Sequence, residues 1–262
     1  MNRLMGEVYA KSRIVSLCPS ITETLIDFGL AERIVGVTKF CIHPADVVAK
    51  LPKVGGTKDP DLDLIVEARP DLVLLNEEEN RREDFEALTA KGVPVETSLP
   101  KRVTDVPAEL RRLGDLTGAT DVAERRAAAL EAGIAALEGD EKPGFTYAYL
   151  IWRDPWMSVN DDTYVADLLG RAGGTNVFGD APDRYPTVHL DDLRAKHPDV
   201  VFLPDEPFPF KAKHQAELAI EGLDRTRLVS GDDCCWHGVR SIRGVRLMRT
   251  LVSDRIESHV QT

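Results

Sequence analysis

The 262-residue sequence predicts an α/β fold of two Rossmann-like lobes, each with a parallel sheet, joined by one long helix with a ligand cleft between the lobes. Three observations predict it. Short apolar strands alternate with helical segments; the second half repeats the order of the first; and a stretch of strong helix formers separates the halves. The bounds read from these features are 1–105 for the N-terminal lobe, 106–142 for the connecting helix and 143–262 for the C-terminal lobe.

In order, Arg13–Leu17 reads as a strand and TETLIDFGLAERI as a helix with Thr22 as its N-cap, since apolar residues recur near helical spacing. Ile34–Val37 is a second short strand. A Pro/Gly/Lys loop follows, then a short helix over Leu62–Glu67, the strand Asp71–Leu75, a charged helix over about residues 80–91, and the strand Val93–Val95. Between the halves, VPAELRRLGDLTGATDVAERRAAALEAGIAALEGDEKP is rich in Ala, Leu, Glu and Arg, so it reads as a stiff helical strut. Thr117-Gly118 or Gly118-Ala119 marks a kink, and Pro143-Gly144 its end. The second half then gives the strand Tyr147–Ile151, a helix over Thr163–Arg171 and a strand at Asn176-Val177-Phe178. HLDDLRAKHPDVVFLPDE parallels DLDLIVEARPDLVLLNEE of the first half. Two matches in the same order point to a duplicated lobe, and a rigid strut predicts only a small rocking of one lobe against the other.

Composition excludes several classes of function. The net charge of −11 argues against nucleic acid or an anionic membrane surface as the main partner. No window approaches 18 uninterrupted apolar residues, so no membrane span is expected. The opening MNRLMGEVYAKSRIVSL is broken by Glu7, Lys11 and Arg13 and does not read as a secretory signal, so the location stays open between cytoplasmic, with reduced thiols, and exported. Cys18, Cys41, Cys234 and Cys235 are too few for a disulfide scaffold.

All three tryptophans fall in two polar loops at predicted strand ends: Trp152 and Trp156 in IWRDPWM, Trp236 in DDCCWHG. Ligands of parallel sheets collect beyond the carboxyl ends of strands, so these loops, with Arg153, Asp154, Asp232 and His237, form the candidate binding surface. Cys41-Ile-His43 and Cys234-Cys235-Trp236-His237 bring soft donors together. His43 and His237 are the candidate metal contacts, although neither spacing is a zinc-finger pattern. The alternatives are small buried thiols, a cytoplasmic metal- or cofactor-binding protein, or a zinc-dependent enzyme using the Cys/His loops. No G-x-S-x-G, G-x-G-x-x-G or P-loop is present. The acidic run Glu77-Glu78-Glu79 and its counterpart Asp205-Glu206 read as helix N-terminal carboxylates or as one acidic knob per lobe for docking.

RIVSLCPSITETLIDFGLAERIVGVT, LPKVGGTKDPDLDLIVEARPDLVL and IWRDPWM with DTYVADLLGRAGGTNVF resemble the class III periplasmic-type binding proteins, from about Arg13 to Val252. These helical-backbone receptors serve ABC importers of cobalamin, haem and ferric siderophores. The P-S-x-T-E turn, the R-P-D-L-V strand and the W-x-x-P-W loop are most similar to the cobalamin-binding members. The resemblance implies a non-enzymatic receptor with no intrinsic cofactor, a metal-chelate ligand in the interlobe cleft, an ABC permease as partner and a periplasmic or cell-surface location. It implies ligand contacts from Phe40, Cys41 and His43 in the first lobe. From the second it implies Trp152, Arg153, Trp156, Arg184, Tyr185 and the Asp232–His237 loop with Trp236. Glu79 or Glu83, with Glu206, would dock the permease.

Overall fold

A proline with no N–H to give sets where the first helix starts. In the computed structural model, which describes residues 13–139, 144–248 and 250, β1 (Ile14–Ser16) leads into α1 (Pro19–Asp27), with Pro19 in its first turn and Cys18 as the extended N-cap. Thr22, expected as the cap, instead lies buried inside the helix. Its hydroxyl reaches the Cys18 carbonyl at 3.1 Å and Ser16 Oγ at 2.8 Å. The opening residues and Pro143 lie outside the described residues.

After a 3₁₀ turn at Ala31–Arg33 come β2 (Ile34–Val37), α2 (Ala45–Val48), α3 (Leu62–Glu67), β3 (Leu72–Asn76), α4 (Arg82–Ala90) and β4 (Val95–Ser98). Asp61 caps α3, accepting the N–H groups of Asp63 and Leu64. β4 begins two residues later than expected, just past Pro94, whose carbonyl still accepts from Val73. The four strands pair in parallel in the order β2-β1-β3-β4, and Val15, Leu17, Val54, Ile65, Val73, Leu75 and Leu88 fill one face.

The expected single connecting helix is two helices, α5 (Val106–Thr117) and α6 (Thr120–Gly139). Gly118 ends α5 at φ 71°, a left-handed conformation that a Cβ disfavours. α6 then turns back along α5: Arg111 reaches both Glu124 and Glu131, and a Cβ on Gly114 would lie 2.4 Å from that of Ala123. Gly118→Ala is expected to cost about 1 kcal/mol in a urea melt, since the chain must hold a left-handed alanine or rebuild the turn.

The second half supplies β5 (Phe145–Tyr149), α7 (Tyr164–Arg171), β6 (Gly174–Asn176), α8 (Leu190–Ala195), β7 (Val200–Pro204), α9 (Ala212–Ile220), β8 (Thr226–Val229) and α10 (Gly231–Cys235). Thr163 caps α7. β6 lies two residues before its expected place because Asn176 Oδ1 takes the Phe178 N–H and turns the chain. The order β6-β5-β7-β8, all parallel, repeats the first sheet. The repeat extends to single residues. Asp71 accepts the Arg13 N–H at 2.7 Å and Asp199 accepts the Thr146 N–H at 2.8 Å, each stapling its own strand to the start of the first strand of its sheet. Arg69 and His197, each two residues before that aspartate, share positive φ values of 44° and 46°.

Two compact units result. One comprises residues up to Pro100, Thr104–Glu131 and His237–Arg240; the other comprises Lys101–Val103, Ala132–Trp236 and the residues from Ser241. No helix among the described residues is long and apolar enough to cross a membrane.

Candidate functional site

In the second unit, the loops leaving β5, β7 and β8 emerge at the carboxyl edge of one sheet, the edge where parallel sheets bind ligands. Trp152 and Met157 pair as a short antiparallel bridge, so Arg153-Asp154-Pro155-Trp156 forms a tight turn at that edge. Trp152 is 43% exposed and stands edge-on to Phe208, with ring centroids 5.6 Å apart. Trp156 stacks on Phe210 within 3° of parallel, and Phe208 and Phe210 lie 4.7 Å apart. Four rings thus form one ledge, of which Trp152 is the open face. Arg153 fastens the turn rather than facing outward: its guanidinium binds Glu217 of α9 and lies over Trp156. Tyr185 is also well exposed, with Arg184 over its ring and Arg184 Nε held by the Asp162 carbonyl at 2.7 Å.

Trp236 comes to the same edge but is buried, its indole N–H donating to Glu206 Oε1 at 3.0 Å. The Gly231 N–H donates to Asp205 Oδ1, so the loops after β7 and β8 are tied at two points. Asp232 sits in the first turn of α10. Cys235 Sγ lies 3.5 Å from the Tyr149 hydroxyl, and burial pushes the Cys234 thiol well above its ordinary pKa. Phe208 and Phe210 were not among the expected contacts. Their signal was P-F-P-F directly after a strand, at the same sheet edge as the tryptophans.

In the first unit, the loop after β2 alternates. Phe40 and Ile42 are each half exposed, whereas Cys41 is buried with its Sγ 3.1 Å from Thr22 Oγ1 and 3.2 Å from Thr38 Oγ1. His43 is partly buried ahead of Pro44. Glu83 is exposed in the first turn of α4, and Glu79, after β3, has its carboxyl pushed up by desolvation, with Lys58 opposing.

His237, one residue from Trp236, belongs to this first unit and is 9% exposed. Its partner Asn76 shows which way the hydrogen bond runs. Asn76 Oδ1 accepts the N–H groups of Glu78 and Glu79 and its Nδ2 donates to the Ser98 carbonyl, so Nδ2 also donates to His237 Nε2, at 3.1 Å. The imidazole is therefore the neutral Nδ1–H tautomer, and burial lowers its pKa to about 4. Ser20 Oγ lies 3.4 Å from the same Nε2, and burial pushes the neighbouring Cys18 thiol up to about 12. One nitrogen facing both the hydroxyl and the amide does not make a nucleophile–base–orienter chain. Among the described residues no three His, Cys, Asp or Glu side chains gather as a metal site.

The P-S-x-T-E turn has a purpose visible here. Ser20 meets His237, Glu23 grips Arg240 through two 2.6 Å bonds, and Thr24 Oγ1 accepts the Val239 N–H. Gly238, at φ 82°, comes so close that a Cβ would lie 2.2 Å from Thr24 Oγ1.

A family model described as periplasmic binding protein matches residues 14–231. The chain belongs to that family. Among its relatives, a vitamin B12-binding protein of Pectobacterium carotovorum is 25% identical over 215 residues, covering 79% of this chain and 78% of that one. One of Vibrio campbellii is 24% identical, covering 72% and 70%. Of solved structures, the periplasmic vitamin B12 binding protein BtuF of Vibrio cholerae superposes with a TM-score of 0.80 at 20% identity, covering 93% of this chain and 97% of that one. The periplasmic heme-binding protein RhuT from Roseiflexus sp. RS-1 gives 0.78 at 24% identity, covering 93% and 98%. At these identities the structural likeness shows a shared fold. This periplasmic binding protein thus has the two parallel-sheet lobes of its family, with its own aromatic ledge on the second.

Proposed function

We propose that this periplasmic binding protein captures a corrinoid or porphyrin chelate, vitamin B12 or haem, for an ABC importer. The observation that carries this reading is the aromatic ledge of the second unit, with Trp152 open to solvent over Phe208 and the Trp156–Phe210 stack. A large flat ring offers such a ledge much apolar area, and tryptophan covers it at little entropy cost. Exposed Tyr185 beside Arg184 adds to the recognition surface of the second unit; in the first unit, Phe40 and Ile42 are the exposed apolar side chains this reading takes as contacts, with His43 as its metal contact. The relatives named for vitamin B12 and the heme-binding structures support the same ligand class. Permease docking falls to exposed Glu83 with Glu79 in one unit and to Glu206 in the other, where Glu206 also holds Trp236.

Titration with cyanocobalamin and with haemin, followed by visible absorbance and tryptophan fluorescence, tests this. Saturable binding of one of them is expected, and Trp152→Ala should weaken it by about 2 kcal/mol, roughly 30-fold, while the melting temperature holds. Absence of saturation by either chelate, or an unchanged affinity in Trp152→Ala, would overturn the reading.

A further inference from the structure

We propose that the second unit carries a separate binding site for a small polyhydroxylated molecule of monosaccharide size, in the cavity beside β6 built around Tyr147 and Asp161. The cavity has a volume of about 600 Å³ and is walled by Arg102, Tyr147, Asp161, Asp167, Arg171 and Thr175, among others. None of these belongs to the aromatic ledge, so the inference does not rest on the chelate reading.

Tyr147 is the built element. It is 1% exposed, its ring lies against Phe145 and Phe202, and β6 passes it only because residue 174 is glycine: a Cβ there would sit 2.9 Å from two ring carbons. Yet its hydroxyl has no hydrogen-bond partner among the described residues. The ring is buried but the hydroxyl opens onto the cavity wall, where a ligand atom can take the place of water. Asp161, on the same wall, also has a carboxylate without a hydrogen-bond or ion-pair partner among the described residues. Its place is set by the loop at Gly179, whose carbonyl accepts the Asp161 N–H and where a Cβ would collide with the carboxylate.

The cavity's cations are already matched. Asp167 accepts the Val103 N–H at 2.8 Å, Arg171 Nε at 2.9 Å and Arg102 Nη1 at 3.4 Å, and Arg171 also pairs with Glu138. The outstanding groups are therefore a phenol, a carboxylate and the exposed Thr175 hydroxyl. Burial and the Asp161 charge push the phenol's pKa up, so it keeps its proton and needs an acceptor. An ammonium group has none to offer. A hydroxyl accepts from the phenol and donates to the carboxylate, and several on one small ring satisfy Tyr147, Asp161 and Thr175 together.

Saturation-transfer NMR and calorimetry on the purified protein with D-glucose, D-mannose, D-ribose and myo-inositol provide the test. Saturable binding of at least one is expected at millimolar concentration or below. Tyr147→Phe keeps the ring packing and should lower that affinity about 10-fold with no loss of melting temperature; Asp161→Asn should weaken it as well. Methylammonium, which has no hydroxyl, serves as the ammonium probe and should not compete. The proposal is overturned if none of the four saturates below about 50 mM, if Tyr147→Phe binds as well as the parent, or if methylammonium alone binds.

Discussion

Replacing Glu23 by Leu is expected to destabilise the first unit by about 3–5 kcal/mol, one of the two largest single effects the structure predicts. The Arg240 guanidinium is nearly inaccessible, and Glu23 meets its Nε and Nη2 with bonds of 2.6 Å each. Removing the carboxylate takes two 2.6 Å charge-assisted bonds from a buried cation and leaves its charge uncompensated there. The pair joins α1 to the 3₁₀ turn at Gly238–Arg240, so its loss also frees the segment that Thr24 and Gly238 fit so closely. Arg240→Met should cost less than Glu23→Leu, because the partly accessible Glu23 keeps some access to water. The double variant Glu23→Leu/Arg240→Met should recover most of the loss, since two apolar chains replace two charges whose dehydration was itself unfavourable. Urea unfolding at neutral pH, with and without 0.5 M salt (on the order of a 4–5 Å screening length), separates this pair from the surface bridges. Glu23→Leu within about 1 kcal/mol of the parent would show that the contact is no more than a surface salt bridge.

What the residues disclosed about the fold follows from where their signals are local. α3 was legible to the residue because Asp61 caps it and Arg69-Pro70 closes it, and β2 because four apolar residues stand between polar ones. The strut was legible as helix but not as a hairpin: Gly118 announced a kink, whereas the reversal depends on Gly114 lying against Ala123, a contact with no local pattern. The aromatic ledge was half legible. Tryptophans at strand ends pointed to the correct sheet edge, but Phe208 and Phe210 looked like ordinary loop residues between prolines. Burial of Trp236 could not be read either, because it depends on Glu206, thirty residues away. Trp236 and His237 are adjacent in sequence, and adjacency alone suggests one surface. The chain passes from one unit to the other at that peptide, so the histidine went to Asn76 and Ser20. The P-S-x-T-E turn was legible as a family mark, and only the structure shows that it grips residues 237–240.

His237 makes the second large prediction, a loss of stability on mild acidification. Its pKa in the folded protein is about 4, against an ordinary 6.5. Below 6.5 the unfolded chain takes up a proton that the folded chain refuses, so the unfolded state binds more protons and stability falls as pH falls. The loss begins near pH 6.5, runs at about 1.4 kcal/mol per pH unit and levels off near pH 4, for a total of about 3 kcal/mol. Geometry reinforces the burial that causes the shift. A protonated Nε2 would point its hydrogen at the Asn76 amide, which cannot turn round because its oxygen already accepts two backbone N–H groups and its nitrogen donates to Ser98. His237→Gln offers an uncharged acceptor in the same place and should remove this slope. The Cys18 thiol, with a pKa of about 12, does not titrate in the window. Glu79, whose carboxyl is raised, titrates with the opposite sign but equally in both proteins, so it cancels in their difference. Urea unfolding of the parent and His237→Gln at pH 7.5, 6.5, 5.5 and 4.5 (spanning the window of about 2.5 units) gives that difference directly. The two curves should separate steadily in favour of the variant below pH 6.5. Curves that stay parallel would mean that the imidazole gains its proton in the fold, and the neutral tautomer assigned through Asn76 would be wrong.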